Sequence, residues 1–293
     1  MSFANAVLQG IFLGAFYAVL ACGLSLMFGV MRIINLAHGD VAVLGAYIVF
    51  VIVDRTGASP LIAFAAALPV MLALGYVLQL TILERALKSG LLVPLLATFG
   101  LSIVIQNLLL IAFSPDVRYL GAKAGSLTTV SWILPGGITF PGLGVATLVV
   151  AVVLFGAFHL FLTRTRSGWR MRATAEDPDA AELIGINSRA VYARATAVAV
   201  AVAGLGGLLL AIRSVFDPVS GPLQLIFAFE AVVIGGMGSL WGTLLGGIAL
   251  GVAQNIGAQI NPEYPVLAGH LLFLSVLVVR FGSVRLGPWG ARA

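Results

Sequence analysis

Arg32, Asn35, His38 and Asp40 crowd the short stretch Phe28 to Asp40 (FGVMRIINLAHGD), set between two long apolar runs. Ionisable groups at the edge or interior of a membrane are costly, so they are paired, buried in protein or turned to a wet cavity. Gly29 and Gly39 permit a broken helix whose freed backbone groups line such a cavity. Arg32 reads as an orientation anchor. Asn35, His38 and Asp40 read equally well as a structural hydrogen-bond network and as groups beside a translocation pathway. A second stretch, Phe229 to Gly247 (FEAVVIGGMGSLWGTLLGG), holds Gly235, Gly236 and Gly238. They cluster too densely for a rigid helix, each costing about 1 kcal/mol relative to Ala. A bend, a re-entrant turn or a close backbone contact is expected there. Glu230 is the carboxylate of this apolar run, a structural group or a gate residue.

Other chemistry is excluded by what is missing. No Lys follows the glycines and GxxxxGK[ST] does not occur, the only lysines being Lys88 and Lys123, so no phosphate-cradling loop is expected. His38, His159 and His270 lie in distant segments and Cys22 is the lone cysteine. That leaves no metal-ligand spacing and no intramolecular disulfide. No nucleophile–base set is evident, so no catalytic residue is expected. An ion-coupled carrier would need paired acids near the midplane, and neither Asp40 nor Glu230 has an obvious partner in sequence.

The most charged stretch is Arg164 to Arg194, basic at its start, acidic in its middle and basic again at its end. Asp177 before Pro178 is a helix start: a capping side chain, then proline where its missing N–H is harmless. Asp179 adds favourable charge to the first turn. The spacing predicts a helix from Pro178 to Ile184 that stops at Gly185, suited to a left-handed C′ position. Two turns are too short to stand alone in water, so this helix needs something to pack on. The plainer reading is a solvated loop anchored by arginines.

The elements that carry these groups follow from composition. The chain has 293 residues, is 60% hydrophobic and only 9% charged, with a mean hydropathy of +1.10. Soluble domains carry about 25% charged residues, so an all-α polytopic membrane protein is expected, a single transmembrane domain over 1–293 with an extramembrane loop at 164–194. Apolar segments fall at about 6–31, 36–53, 60–83, 90–113, 142–162, 193–212, 223–238, 240–258 and 264–281: about nine membrane segments, or eight if 223–238 and 240–258 form a re-entrant pair. The first lacks a basic leader and is too long for a signal-peptide core, so it reads as a membrane helix. The stretch 114–141, with Pro115, Asp116, Arg118, Lys123, Pro135 and Gly136–Gly137, reads as an extramembrane loop holding a short strand or hairpin.

The net charge of +5 is carried mostly by arginines at segment ends, as membrane orientation requires, and does not suggest nucleic acid. With the 164–194 loop cytoplasmic, Arg32, Arg85, Lys88, Arg280, Arg285 and Arg292 fall inside too. Arg55, Arg118, Lys123 and Arg213 fall outside. Gly10 and Gly14, Gly242 and Gly246, and Gly247 and Gly251 have helix-packing spacing, as ordinary contacts or as a moving interface.

Together FGVMRIINLAHGD, RTRSGWRMRATAEDPDAAELIGIN and VIGGMGSLWG resemble the membrane permeases of ABC importers for branched-chain amino acids, in the shorter of the two permease types. The resemblance covers essentially the whole chain. Relatives within that family handle urea, short amides and other amino or organic acids. The resemblance implies a multi-pass protein of the bacterial cytoplasmic membrane that binds no cofactor of its own. Its partners would be a second related permease, two cytoplasmic ATPases that bind the ATP, an external substrate-binding protein and membrane lipid. It assigns ATPase coupling to the Arg170–Asn187 region: Arg170, Arg172, Glu176, Asp177, Pro178, Glu182, Gly185 and Asn187. Asn35, His38, Asp40, Glu230, Gly235, Gly236 and Gly238 stand as candidate pathway or gate positions. A self-sufficient secondary transporter is the rival from another class.

Overall fold

Where the composition is apolar the chain is helical, as it must be where no water can satisfy backbone groups. The computed structural model describes residues 3–90, 92–134 and 138–285. The loop residues Pro135, Gly136 and Gly137 and the tail residue Arg292 lie outside the described residues. Helix α1 (Phe3–Met31) is followed by α2 (His38–Thr56) and α3 (Pro60–Leu78). A π-helical turn at Gln79–Leu83 carries α3 into α4 (Glu84–Leu87), then α5 (Val93–Phe113) and the single turn α6 (Ser126–Thr129). Strands β1 (Ser131–Leu134) and β2 (Ile138–Pro141) form an antiparallel hairpin, within the stretch where a short hairpin was expected. Then come α7 (Gly142–Arg164), α8 (Arg166–Glu176), α9 (Pro178–Leu183), α10 (Ser188–Arg213), α11 (Gly221–Gly235), α12 (Leu240–Ile260) and α13 (Pro265–Arg285).

Among the described residues, six helices are long and apolar enough to cross a membrane: α1, α3 with α4, α5, α7, α10 and α12. Helix α2 has a full length but carries Asp40, Asp54 and Arg55. Helix α11, at 15 residues, is about 22 Å long, short of a hydrocarbon core of about 30 Å. The apolar segments read from the sequence match the helices to within a few residues at most ends, and by length and composition six of them are candidate spans of a polytopic membrane protein rather than nine.

Two helices form the centre. Their most apolar windows are 83% buried in α1 and 89% in α10, against 22% in α3, α5 and α7. Lipid is as apolar as a leucine side chain, so close backbone packing has to hold such a centre together. Along α1 and α12 glycines meet backbone directly: a Cβ at Gly14 would strike the Gly247 carbonyl, and one at Gly251 the backbone of Gly10 and Gly14. On the other flank Gly207 abuts the Ala42 carbonyl and Gly45 abuts Gly204. Cys22 is wholly buried between these layers.

The polar ends sort into two faces. At one, the hairpin is tied to α1, with Thr139 N donating to Asn5 Oδ1 at 3.2 Å and Gln9 Nε2 donating to the Thr139 carbonyl at 2.7 Å. Lys123 lies 3.8 Å from Asp54 on the same face. At the other, Glu84 receives Arg189 at 2.7 Å and Lys88 at 3.3 Å, and Arg280 donates to the Val233 carbonyl at 3.0 Å. The charged loop is therefore on the side of Arg85, Lys88 and Arg280.

The α1–α12 contact has a direct test. Gly251→Ala should lower thermal stability in detergent by roughly 1–3 kcal/mol, the usual cost of overpacking. Gly100→Ala, where a Cβ meets nothing within 4 Å, should not. Equal melting of the two variants would show that the glycine contact is not what holds the centre.

Candidate functional site

Helix α1 ends because Arg32 takes a left-handed backbone, φ 56°, which only glycine adopts freely. The chain then turns back beside α1 over residues 32–37, and α2 begins well inside the bundle. The His38 ring fixes the depth: its Nε2 lies 2.8 Å from the Leu20 carbonyl, and Leu20 is roughly 16 Å along α1 from Met31. A carbonyl only accepts, so the ring proton sits on Nε2. Asn35 Oδ1 accepts from Ala37 N at 3.0 Å, and Thr98 Oγ1 accepts from Leu36 N at 3.1 Å. Asp40, 1% exposed, accepts from Ser102 Oγ at 2.6 Å and from Gln106 Nε2 at 2.9 Å. Helix α11 also starts here, the Gly221 backbone resting on Gly39 and Asp40. Asn35, His38 and Asp40 are thus brought together as buried groups that seal a break in the helix, and Arg32 borders a separate cavity of about 360 Å³ with Ile33, Ile34 and Pro94.

Glu230 lies elsewhere, buried on α11 and paired through Oε1 with His270 Nδ1 of α13. Its other oxygen has no protein partner among the described residues. Tyr17 OH donates to Gln254 Oε1 at 2.7 Å on the neighbouring helices, and the Tyr17 ring packs 4.8 Å from that of Phe227. The glycine cluster is the turn between α11 and α12. Gly236 and Gly238 have φ of 98° and 84°, Gly235 abuts the Gly242 carbonyl and Gly238 approaches Gly29. Ser239 caps α12, its Oγ accepting from Gly242 N at 3.1 Å.

The charged loop folds into two helices. Thr165 caps α8, accepting from Gly168 N at 3.0 Å. Gly168 rests on Phe161 and Leu162 of α7 so closely that a Cβ would collide with their backbone. Met171 and Thr174 are buried, and Met171, Arg172 and Ala175 share a cavity of about 180 Å³ with Ser25, Gly29 and Gly238. Helix α8 therefore packs on α7 and the end of α1 and faces the α11–α12 turn across this cavity. Helix α9 spans Pro178–Leu183 with Asp177 Oδ1 accepting from Asp179 N and Ala180 N, both at 3.0 Å. Gly185 has φ 84°, as its position required. Asn187 caps α10 through Ala190 N at 3.0 Å. Of α9 only Ala181 is buried; Leu183 and Ile184 are 88% and 76% exposed. Arg170, Arg172, Glu176, Asp177, Pro178, Glu182, Gly185 and Asn187 are all exposed on this face.

Three polar contacts escaped the sequence. His270 as partner of Glu230, and Ser102 and Gln106 as partners of Asp40, are long-range pairs that no local spacing announces. Helix α8 was hidden by its arginines, although its burial of Gly168, Met171 and Thr174 at spacings of three is a helical pattern.

Comparison with known proteins gives a consistent answer. Residues 6–279 match the family described as branched-chain amino acid transport system / permease component. The chain is 33% identical to the high-affinity branched-chain amino acid transport system permease protein BraD of Pseudomonas aeruginosa, over 94% of this chain and 92% of that one. It is 30% identical to LivH, a permease protein of the corresponding system of Escherichia coli K12, over 94% and 93%. Identity to the LivM permease protein of the same organism is 26%, over 89% of this chain and 66% of that one. No solved structure matches the chain.

The Glu230–His270 pair is testable by a double-variant cycle. His270→Ala should destabilise the protein by roughly 1–3 kcal/mol, because it strands a buried acceptor. Adding Glu230→Leu should recover part of that loss. Strictly additive effects on thermal unfolding in detergent would show the pair to be uncoupled.

Proposed function

We propose that this chain, which belongs to the branched-chain amino acid transport system permease family, imports branched-chain amino acids as one membrane subunit of an ATP-driven transporter. The relatives' names carry the substrate class. The observation that carries the mechanism is α9: a capped helix too short to stand alone, holding Leu183 and Ile184 out into open space. A soluble ATPase offers the groove that covers them. The chain has no phosphate loop of its own, so ATP is bound and hydrolysed by two such partners and this subunit performs no catalysis. A second, related permease completes the pathway, and an external binding protein delivers the substrate.

In this mechanism, closure of the ATPases on ATP displaces α9, and α8 transmits the displacement. Gly168 leaves no compressible side chain between α8 and α7, and Met171 is buried against α1. The movement thus reaches the α11–α12 turn, where Gly236 and Gly238 are, and the paired permeases change the side to which their cavity opens. All nine apolar helices take part as membrane segments, α11 as the short one, with the 164–194 loop inside and the β1–β2 hairpin outside. The bias of basic residues towards the loop side supports this orientation. The carrier alternative needs an acid pair at the midplane; instead Asp40 is bonded to Ser102 and Gln106, and Glu230 to His270.

Asp177→Ala removes a cap worth roughly 0.5–2 kcal/mol, and Gly185→Val forces a left-handed backbone that costs roughly 1–2 kcal/mol. Both variants should insert normally but lose ATPase co-purification or substrate-stimulated ATP hydrolysis in proteoliposomes. ATP-driven uptake that survives deletion of 178–185 would refute the coupling role. For orientation, single cysteines at Ser167 and Ala122 in a Cys22→Ser background should label from the cytoplasm and from outside, respectively. Labelling of both from one side would overturn the map.

A further inference from the structure

A basic cavity and an apolar groove lie end to end on α7, the cavity reaching across to the chain that follows α9. The cavity, of about 760 Å³, opens where α7 leaves the membrane and is bordered by Arg164, Arg166, Trp169 and Arg170 on one side and by Ile184, Gly185 and Ile186 beyond the end of α9 on the other. No carboxylate of the described residues stands within ion-pair distance of Arg164, Arg166 or Arg170. Trp169 is 66% exposed, its indole N–H donating to the Thr163 carbonyl at 3.3 Å. Towards the bilayer lies a groove of about 220 Å³ formed by Leu154, Ala157, Phe158, Phe161 and Val198. The α7 members recur at spacings of three and four, so they form one stripe, and Arg164 and Thr165 are its next positions.

We infer that this composite site holds an anionic phospholipid of the leaflet facing the charged loop. The chemistry of each half selects one part of such a molecule. Guanidinium groups bind phosphate through paired N–H donors, and each basic side chain near an anionic surface adds attraction. An exposed tryptophan at the end of a membrane helix belongs at the headgroup level. The groove below is as long as a few helical turns and purely apolar, which suits an acyl chain and offers nothing to a water-soluble anion. A protein partner docked on the cytoplasmic side covers the arginines but cannot reach the groove. A second permease packed on α7 fills the groove but provides no anion for Arg164 and Arg166 at its end.

The test uses the importer assembled with its partner subunits, reconstituted into nanodiscs of phosphatidylethanolamine with or without phosphatidylglycerol and then examined by native mass spectrometry. The wild type should retain phosphatidylglycerol in preference to phosphatidylethanolamine by roughly tenfold or more. Arg164→Gln with Arg166→Gln should abolish the preference, and Ala157→Phe, which fills the groove from an exposed position, should lower retention of the same lipid. Assembly on size exclusion confirms that each variant is folded. Equal retention of the two lipids by the wild type, or an unchanged preference in the arginine double variant, would overturn the site. So would retention indifferent to Ala157→Phe, or displacement of the lipid by millimolar glycerol 3-phosphate, since either identifies a chainless anion as the ligand. A photo-cross-linker at position 157 that captures only protein would identify the groove as a subunit interface instead.

Discussion

The structure depends on one constraint: a helix that starts inside a membrane protein exposes backbone donors where there is no water to receive them. Helices α2 and α11 both start there, with Gly39 and Gly221 in contact. Asn35 receives the donors ahead of α2, its Oδ1 from Ala37 N and its carbonyl from His38 N, and Asp40 adds charge. Its carboxylate sits in the first turn of α2, against the first residue of α11, where the positive ends of two helices favour negative charge. Ser102 and Gln106 of α5 satisfy its oxygens. Only small residues allow this junction, since a side chain at position 39 or 221 would enter the space of the other backbone. A buried acid, two glycines and two hydrogen-bond donors thus form one unit, and losing any member strands the others.

The same logic of small residues divides the molecule mechanically. Helices α1 and α12 meet backbone to backbone at Gly10, Gly14, Gly247 and Gly251 and are tied further by the Tyr17–Gln254 and Ser25–Thr243 hydrogen bonds, so they behave as one body. Outside this contact lie the α11–α12 turn, with its positive-φ glycines, and the break at 32–37. Helix α8 packs on the end of α1 and faces Gly238 across a cavity. A loop that looks peripheral in sequence is therefore placed between the end of α1 and the glycine turn.

What was legible in the sequence was local. Apolar runs marked the helices to within a few residues, Asp177–Pro178 and Gly185 marked both ends of α9, and the 114–141 stretch was recognisable as a loop with a hairpin. These signals are read from neighbours in the chain, so sequence alone reveals them. The partners of Asp40 and Glu230 are not neighbours; glutamine, serine and histidine on other helices look like any other polar residue in an apolar run. The depth at which α2 begins was illegible for a related reason. It follows from the return of residues 32–37 alongside α1 and from the bond of His38 to Leu20, neither of which is encoded in hydropathy.

Cys22, finally, makes the chain its own stopwatch. It is fully enclosed in the middle of α1, on the body that α12 locks in place. A thiol reagent in solution has no route to it while the bundle is intact, so its modification rate counts the occasions on which the centre comes apart, as exchange of a core amide does. Motions that keep α1 against α10 and α12 leave that rate unchanged, whereas motions that pry α1 from either speed it up. The native protein thus carries an internal means of telling a turnover from an unfolding.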